Sequence, residues 1–215
     1  MKKIISFSLW GNNPIYTQGA IRNAELAKEV YPDWICRYYV GKSTPNDITE
    51  KLKYFNNTEV IEMDNDGDWT GMFWRFYPAG ENDVDVVIVR DCDSRLNNRE
   101  RDAVNEWLNS DKGFHIMRDH PYHTTAILGG MWGSKKGVTP NIKQQMETYV
   151  KGNFWQVDQN FLRDIIYPIV KNNSLVHDEF FDKKQFPSKR PINIFVGQAF
   201  NDKDEFLHPE HINYL

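Results

Sequence analysis

The chain has 215 residues, 40% hydrophobic and 26% charged, with a formal net charge of −4. That length suits one large domain able to bury a core without disulfides. The composition excludes a disordered chain, and the acidic balance excludes a phosphate-backbone binder, which needs a basic footprint. Its two cysteines, Cys36 and Cys92, both lie in strand-like runs and read as reduced thiols of a cytoplasmic protein.

The opening MKKIISFSLWGNNP puts lysines ahead of an apolar run, but the run is short, holds serines and precedes no small-residue cleavage site. Residues 3–10 read instead as a buried first strand. Residues 17–31 carry Ile21, Leu26 and Val30 at helical spacing, ended by Pro32. Residues 34–40 are a second strand. Thr44-Pro45 offers an N-cap with proline at the first helical position, opening a helix over 45–55. Residues 58–63 and 84–89 follow as the third and fourth strands. Asn97, with Glu100 three positions on, resembles a capping box for a helix that ends near Leu108. A fifth strand is expected at 114–117 and a helix from Thr139-Pro140 to Gly152. Residues 158–171 form the most amphipathic segment, bent or ended at Pro168. A short strand at 174–177 leads into an irregular tail with 192–197 as an edge strand. Strand and helix alternate at the spacings of a single-domain α/β fold with a mainly parallel central sheet flanked by helices. No stretch reaches the ~18–20 apolar residues that span a bilayer.

The string D-x-D occurs at 64–66, 66–68, 83–85, 91–93 and 202–204. Only Asp91 and Asp93 lie just past the C-terminal end of a long apolar strand, where ligands of open parallel sheets bind. In extended backbone their side chains share a face, with Cys92 on the other. Two carboxylates there suit a hard divalent cation that also takes phosphate oxygens. The competing reading is a strand-end turn whose acids cap the following helix.

The segments YTQGAIRNAELAKEVYPDW, FWRFYPA, RDCDSRLNNRERDAVNEWL, FHIMRDHPYH, ILGGMWG, DQNFL and VHDEFF together span most of the chain. On these motifs the sequence resembles nucleotide-sugar glycosyltransferases of the GT-A fold, and within them a group of bacterial and large-DNA-virus glycosyltransferase domains. The resemblance implies a Rossmann-like domain with a nucleotide-binding half over about 1–95 and a sugar and acceptor half over about 96–200. It implies hexosyl transfer from a nucleotide-diphosphate donor, a UDP-sugar first, to a glycan or other hydroxyl acceptor. In GT-A enzymes the D-x-D acids hold Mn²⁺ or Mg²⁺ against the donor diphosphate, which gives Asp91 and Asp93 that role; the backbone of Cys92 approaches the ribose. His177 resembles a late histidine that completes the metal site, with Asp178 beside it as the alternative. Ser8, Leu9 and Trp10 end the first strand and meet the nucleotide base, and Arg75 matches a donor-binding arginine. Asp158 takes the proton of the attacking hydroxyl, against a plainer reading as a helix N-cap. Arg118, Asp119, His120, His123, Trp132 and Gln159 line the sugar and acceptor pocket, although Trp132 also suits a core.

Other readings compete. DNDGDW is not an EF-hand, because Phe73 stands where the bidentate glutamate belongs. VGKST lacks the first glycine of a P-loop, whose place Cys36 takes, and no G-x-S-x-G elbow is present. A sugar nucleotidyltransferase shares the nucleotide-binding architecture, but the first-strand loop GNNPIYTQG has no arginine-containing glycine-rich run. A metal hydrolase on Asp119, His120 and His123, and a non-catalytic carbohydrate- or nucleotide-binding domain, complete the alternatives.

Overall fold

The computed structural model describes residues 1–149, 152, 154–182 and 184–215. Among them one seven-stranded sheet forms from β1 (Lys3–Leu9), β2 (Ile35–Val40), β3 (Thr58–Glu62), β4 (Val86–Val89), β5 (Phe114–Arg118), β6 (Trp132–Lys135) and β7 (Ser174–Asp178). The strand order is β3-β2-β1-β4-β6-β5-β7; β6 runs antiparallel to both neighbours and every other pairing is parallel.

Alternation along the strands builds a core on each face. Ile5, Phe7 and Leu9 of β1 and Val86 and Ile88 of β4 pack under α1 (Pro14–Val30), α2 (Asn46–Tyr54) and α3 (Asn98–Leu108). Ile4, Val87 and Val89 face the opposite layer. That layer contains a 3₁₀ run (Trp69–Gly80), α4 (Ile142–Thr148) and a helical stretch that begins as α5 (Val157–Phe161).

Several boundaries differ from expectation for local reasons. Helix α1 begins earlier, because Asn13 Oδ1 accepts from Ile15 N at 3.0 Å and Pro14 takes the first helical position. Thr44 does not cap α2: its hydroxyl donates to the Leu9 carbonyl at 3.4 Å, and Pro45 stands at the cap. Half of the capping box forms, since Asn97 Oδ1 accepts from Glu100 N at 3.0 Å. The Glu100 carboxylate turns inward instead, to Arg90 Nε at 3.0 Å and the Tyr31 hydroxyl at 3.1 Å. Pro168 does not end its helix. A π turn, Leu162–Ile166, leads into helical Tyr167–Val170 and adjusts the bonding just before the residue that lacks an N–H. The helix from Asn141 ends at Thr148, before Gly152, and 192–197 forms turns rather than an edge strand.

Strand β6 was not expected, being four residues long and led by a tryptophan. Its register sets Val89 opposite Trp132, so the antiparallel run projects Gly130 opposite Asp91. No helix among the described residues is long and apolar enough to cross a membrane.

Candidate active site

The C-terminal ends of β1 and β4 open into a cleft of about 560 Å³. Ser8–Gly11 supply one wall and Asp91–Asp93 the floor; the 3₁₀ run contributes Arg75, the loop before β6 Leu128–Met131, and the first turn of α5 Asp158 and Gln159. This is the rim where parallel strands direct their carboxyl ends at a ligand.

Arg75 sits at the centre. Its backbone N–H donates to Ser8 Oγ at 3.0 Å, which fixes the 3₁₀ run against the end of β1. Its guanidinium donates to the Asp91 carboxylate and, through Nη2, to Asp158 Oδ2 at 2.8 Å. Burial pulls the guanidinium down, and the two carboxylates more than reverse it. Arg75 therefore pairs with cleft acids, not with the loop acids Asp64, Asp66 or Asp68. Asp66 instead binds Ser43, and Asp68 caps the 3₁₀ run through Thr70 N at 2.7 Å. Asp158 is not an N-cap, a place taken by Gln156 in a left-handed conformation. Its Oδ1 accepts from Gln159 N at 2.9 Å, and burial raises its carboxyl against the pull of Arg75.

Asp91 is ion-paired to Arg75, yet 44% of its side chain remains exposed to the cleft. Asp93 has no side-chain donor among the described residues. Burial and then the Asp91 charge push its carboxyl up to about 6, with Arg75 and Arg95 opposing. The all-oxygen donor set of the two acids is of the kind that fits a hard ion such as Mn²⁺ or Mg²⁺. No histidine, cysteine or further acid completes a three-residue cluster with them among the described residues. The remaining positions of such an ion would fall to phosphate oxygens and water, the usual habit of Mg²⁺.

Glycines make the room. A Cβ on Gly130 would lie 2.0 Å from Asp91 Oδ2, and one on Gly129 2.5 Å from Asp158 Oδ2 and 2.7 Å from Arg75 Nη2. On the opposite wall a Cβ at Gly67 would meet Trp10 Cγ at 2.2 Å, so this glycine seats the indole at the cleft edge. Trp74 packs edge-on to Trp10 at 6.0 Å. Tyr16 also lines the cleft; burial, then Asp93 and Asp91, raise its phenol. The Cys92 thiol is buried against the Ser8 carbonyl at 3.4 Å, and burial followed by Asp93 and Asp91 drives its pKa far up, so it is no nucleophile.

Ser8, Leu9, Trp10, Arg75, Asp91, Cys92, Asp93, Asp158 and Gln159 thus converge as expected. Five expected residues do not. His177 lies on β7, three strand spacings from β4, or roughly 14 Å. Its ring nitrogens are engaged by His115 Nε2 at 2.8 Å and Glu106 at 3.2 Å, so it is no ligand beside Asp91 and Asp93. Arg118 points to Asp178 at 2.6 Å and to the Ala126 carbonyl at 3.0 Å. Asp119 is fully buried between Arg99 and Arg190 and accepts from Val196 N at 3.0 Å, because the tail folds across the end of β5. His120 is buried and donates from Nε2 to the His211 carbonyl at 2.9 Å while Nδ1 accepts from Tyr122 N. Trp132 is core, stacked on Phe114 at 5.3 Å. His123 does reach the cleft. Burial and His120 pull its imidazole down to about 3, and Nδ1 accepts from Asp119 N at 3.0 Å, which leaves Nε2–H as a donor. Gly129, Gly130 and Tyr16 were missed; the pair in ILGGMWG was the available signal.

No family model and no curated protein matches the sequence. Solved structures match the fold. A glycosyltransferase involved in the glycosylation of the major capsid of PBCV-1 aligns over 100% of both chains, with a TM-score of 0.59 at 13% identity. Glucosyl-3-phosphoglycerate synthase from Mycobacterium tuberculosis, solved with UDP, aligns over 88% of this chain and 72% of its own, at 0.52 and 10%. A 4-diphosphocytidyl-2C-methyl-D-erythritol synthase from Anaerococcus prevotii aligns over 87% and 93%, again at 0.52 and 10%. At such identities the likeness is one of architecture. This chain has the GT-A-type glycosyltransferase fold.

Proposed function

We propose that the protein is a metal-dependent, hexosyltransferase-type glycosyltransferase that moves a sugar from a nucleotide-diphosphate donor, a UDP-sugar first, to a glycan or other hydroxyl acceptor. The observation that carries this reading is the under-neutralised pair Asp91 and Asp93, facing a cleft beside the Arg75–Asp158 ion pair. Asp91 and Asp93 would hold Mn²⁺ or Mg²⁺, which supplies charge for the departing diphosphate. Trp10 offers the base an aromatic wall, and Ser8 and the Cys92 backbone flank the ribose. Residues up to about 95 bind the nucleotide and those beyond bind sugar and acceptor, where Gln159 and His123 line the cleft.

Arg75 and Asp158 act together. In the ligand-free protein the guanidinium neutralises Asp158 and lowers its appetite for a proton. A donor diphosphate offers Arg75 a better bidentate partner. Its departure leaves Asp158 as a buried carboxylate of raised pKa, suited to take the proton of the acceptor hydroxyl as that oxygen bonds to the anomeric carbon and the sugar–phosphate bond breaks. Donor binding thereby switches on the base.

UDP-sugars titrated with and without Mn²⁺ test the reading, with UDP release as the readout. Metal-dependent binding and slow UDP release are expected. Asp158→Asn should lower transfer on the order of 10²-fold or more with little change in UDP affinity; equal losses would reduce Asp158 to a structural residue. The likeness to the diphosphocytidyl synthase keeps a nucleotidyltransferase as the second reading, and pyrophosphate release from a nucleoside triphosphate and a sugar phosphate would establish it instead.

A further inference from the structure

We propose a second metal site, separate from the cleft, in which His208, Glu210 and His211 bind a divalent transition metal, Zn²⁺ in the first place. The side-chain ligand atoms of the three residues all lie within 4.8 Å of one another, the one such cluster among the described residues. His208 Nδ1 stands 3.4 Å from Glu210 Oε1. Zinc bonds of about 2.0–2.1 Å in tetrahedral geometry put neighbouring ligand atoms roughly 3.4 Å apart. One edge of the coordination polyhedron is therefore already at its length.

The local sequence HPEH produces this arrangement. His208 caps the 3₁₀ turn Pro209–Tyr214, and His211 follows three residues later. The two imidazoles emerge on one side of the turn. Their rings stack at 4.9 Å and 22°. Pro209 presets the backbone at the first position of the turn.

The site is anchored from below. The His211 carbonyl accepts from His120 Nε2 at 2.9 Å, and the two rings lie 5.3 Å apart. Above, the side chains of His208 and Glu210 are 52% and 60% exposed, which leaves the fourth position to water. Two imidazoles and one carboxylate form the His₂Glu set of open zinc sites. Nitrogen donors also separate this site from the all-oxygen pair Asp91 and Asp93, which favours harder ions. An ion here orders the turn at 208–211, whose His211 carbonyl accepts from His120 of the loop that carries His123 to the cleft. Its role is to hold this turn in its folded shape.

The test uses the full chain without a histidine tag, stripped with a chelator. Zn²⁺ is titrated by calorimetry and Co²⁺ by visible d–d absorption, each with thermal unfolding, on wild type, His208→Ala/His211→Ala, Glu210→Gln and Asp91→Asn/Asp93→Asn. The Asp91→Asn/Asp93→Asn protein should take up one ion with a four-coordinate Co²⁺ spectrum and a raised melting temperature, and wild type should show the same spectrum and shift whether or not its cleft acids take a further ion. The double histidine variant should lose tenfold or more in affinity together with the melting shift, its circular dichroism unchanged. Glu210→Gln should weaken binding and alter the spectrum. Failure of wild type to bind either ion overturns the proposal, and so does equal binding by the double histidine variant. Neither result bears on the cleft, because the acid pair is varied separately.

Discussion

Arg75→Gln isolates the interaction on which the cleft is built. Arg75 and Asp158 are 7% and 3% exposed at the side chain, so this contact is dry. Removing one partner of a buried pair costs about 3–5 kcal/mol, because the other charge stays buried alone. The Asp91 contact is 44% exposed on the acid side and adds only what solvent screening leaves, at most about 1 kcal/mol. Asp158 can escape part of the penalty by protonating, so the low end, about 3 kcal/mol, is expected at neutral pH. Chemical denaturation of wild type, Arg75→Gln, Asp158→Asn and the double variant measures it. Coupling above about 1.5 kcal/mol is expected, since the double variant leaves no isolated charge. The single arginine variant should also bind Mn²⁺ more tightly than wild type without nucleotide, because Asp91 is released, and bind UDP less tightly. Unchanged stability in Arg75→Gln, or additivity within about 0.5 kcal/mol, would refute the ion-pair reasoning.

Asp93 sets a pH dependence. Its folded carboxyl is raised from 3.8 to about 6, so between those values the folded state holds the extra proton and stability falls as pH rises. Asp93→Asn should therefore be more stable than wild type above pH 6, by about 3 kcal/mol at most, with the gain shrinking towards pH 4 in urea titrations. Mn²⁺ must displace that proton, so affinity measured by electron paramagnetic resonance should climb up to about tenfold per pH unit below 6 and level off above it. Gly130→Ala places a methyl 2.0 Å from Asp91 Oδ2; it should abolish metal-dependent UDP binding while the fold, followed by circular dichroism, persists. The buried pair His115 and His177 gives the opposite slope. Burial depresses both imidazoles below 6.5, so their contribution is complete above that pH and is lost as pH falls, by up to about 1.4 kcal/mol per unit for each ring. His115→Phe/His177→Leu should flatten the urea midpoint between pH 7.5 and 5; an unchanged slope would place the acid sensitivity elsewhere.

The residues of the cleft were legible where local chemistry determines position. A run such as VVIV must be buried, and charge just past its end must sit at the rim of the sheet, so Asp91 and Asp93 were found without coordinates. Trp10 and Ser8 follow from the same rule applied to β1. Arg118, Asp119 and His120 looked alike at that level, as polar residues at the end of a strand. Their partners, however, lie up to 91 residues away: Asp178, Arg190, Val196 and His211 cover the end of β5 and turn a candidate pocket into a buried polar network.

Periodicity and strand-end chemistry determined the α/β class, the places of six strands along the chain and the acid pair at the mouth of the fourth, because each depends on a few neighbouring residues. Only the tertiary structure decided that β6 returns antiparallel and sets Gly130 against Asp91, that Arg75 joins Asp91 to Asp158, and that His177 belongs to a different layer of contacts. Those outcomes depend on which distant segments share a surface, and ion pairing at short range carries no trace of itself in sequence spacing.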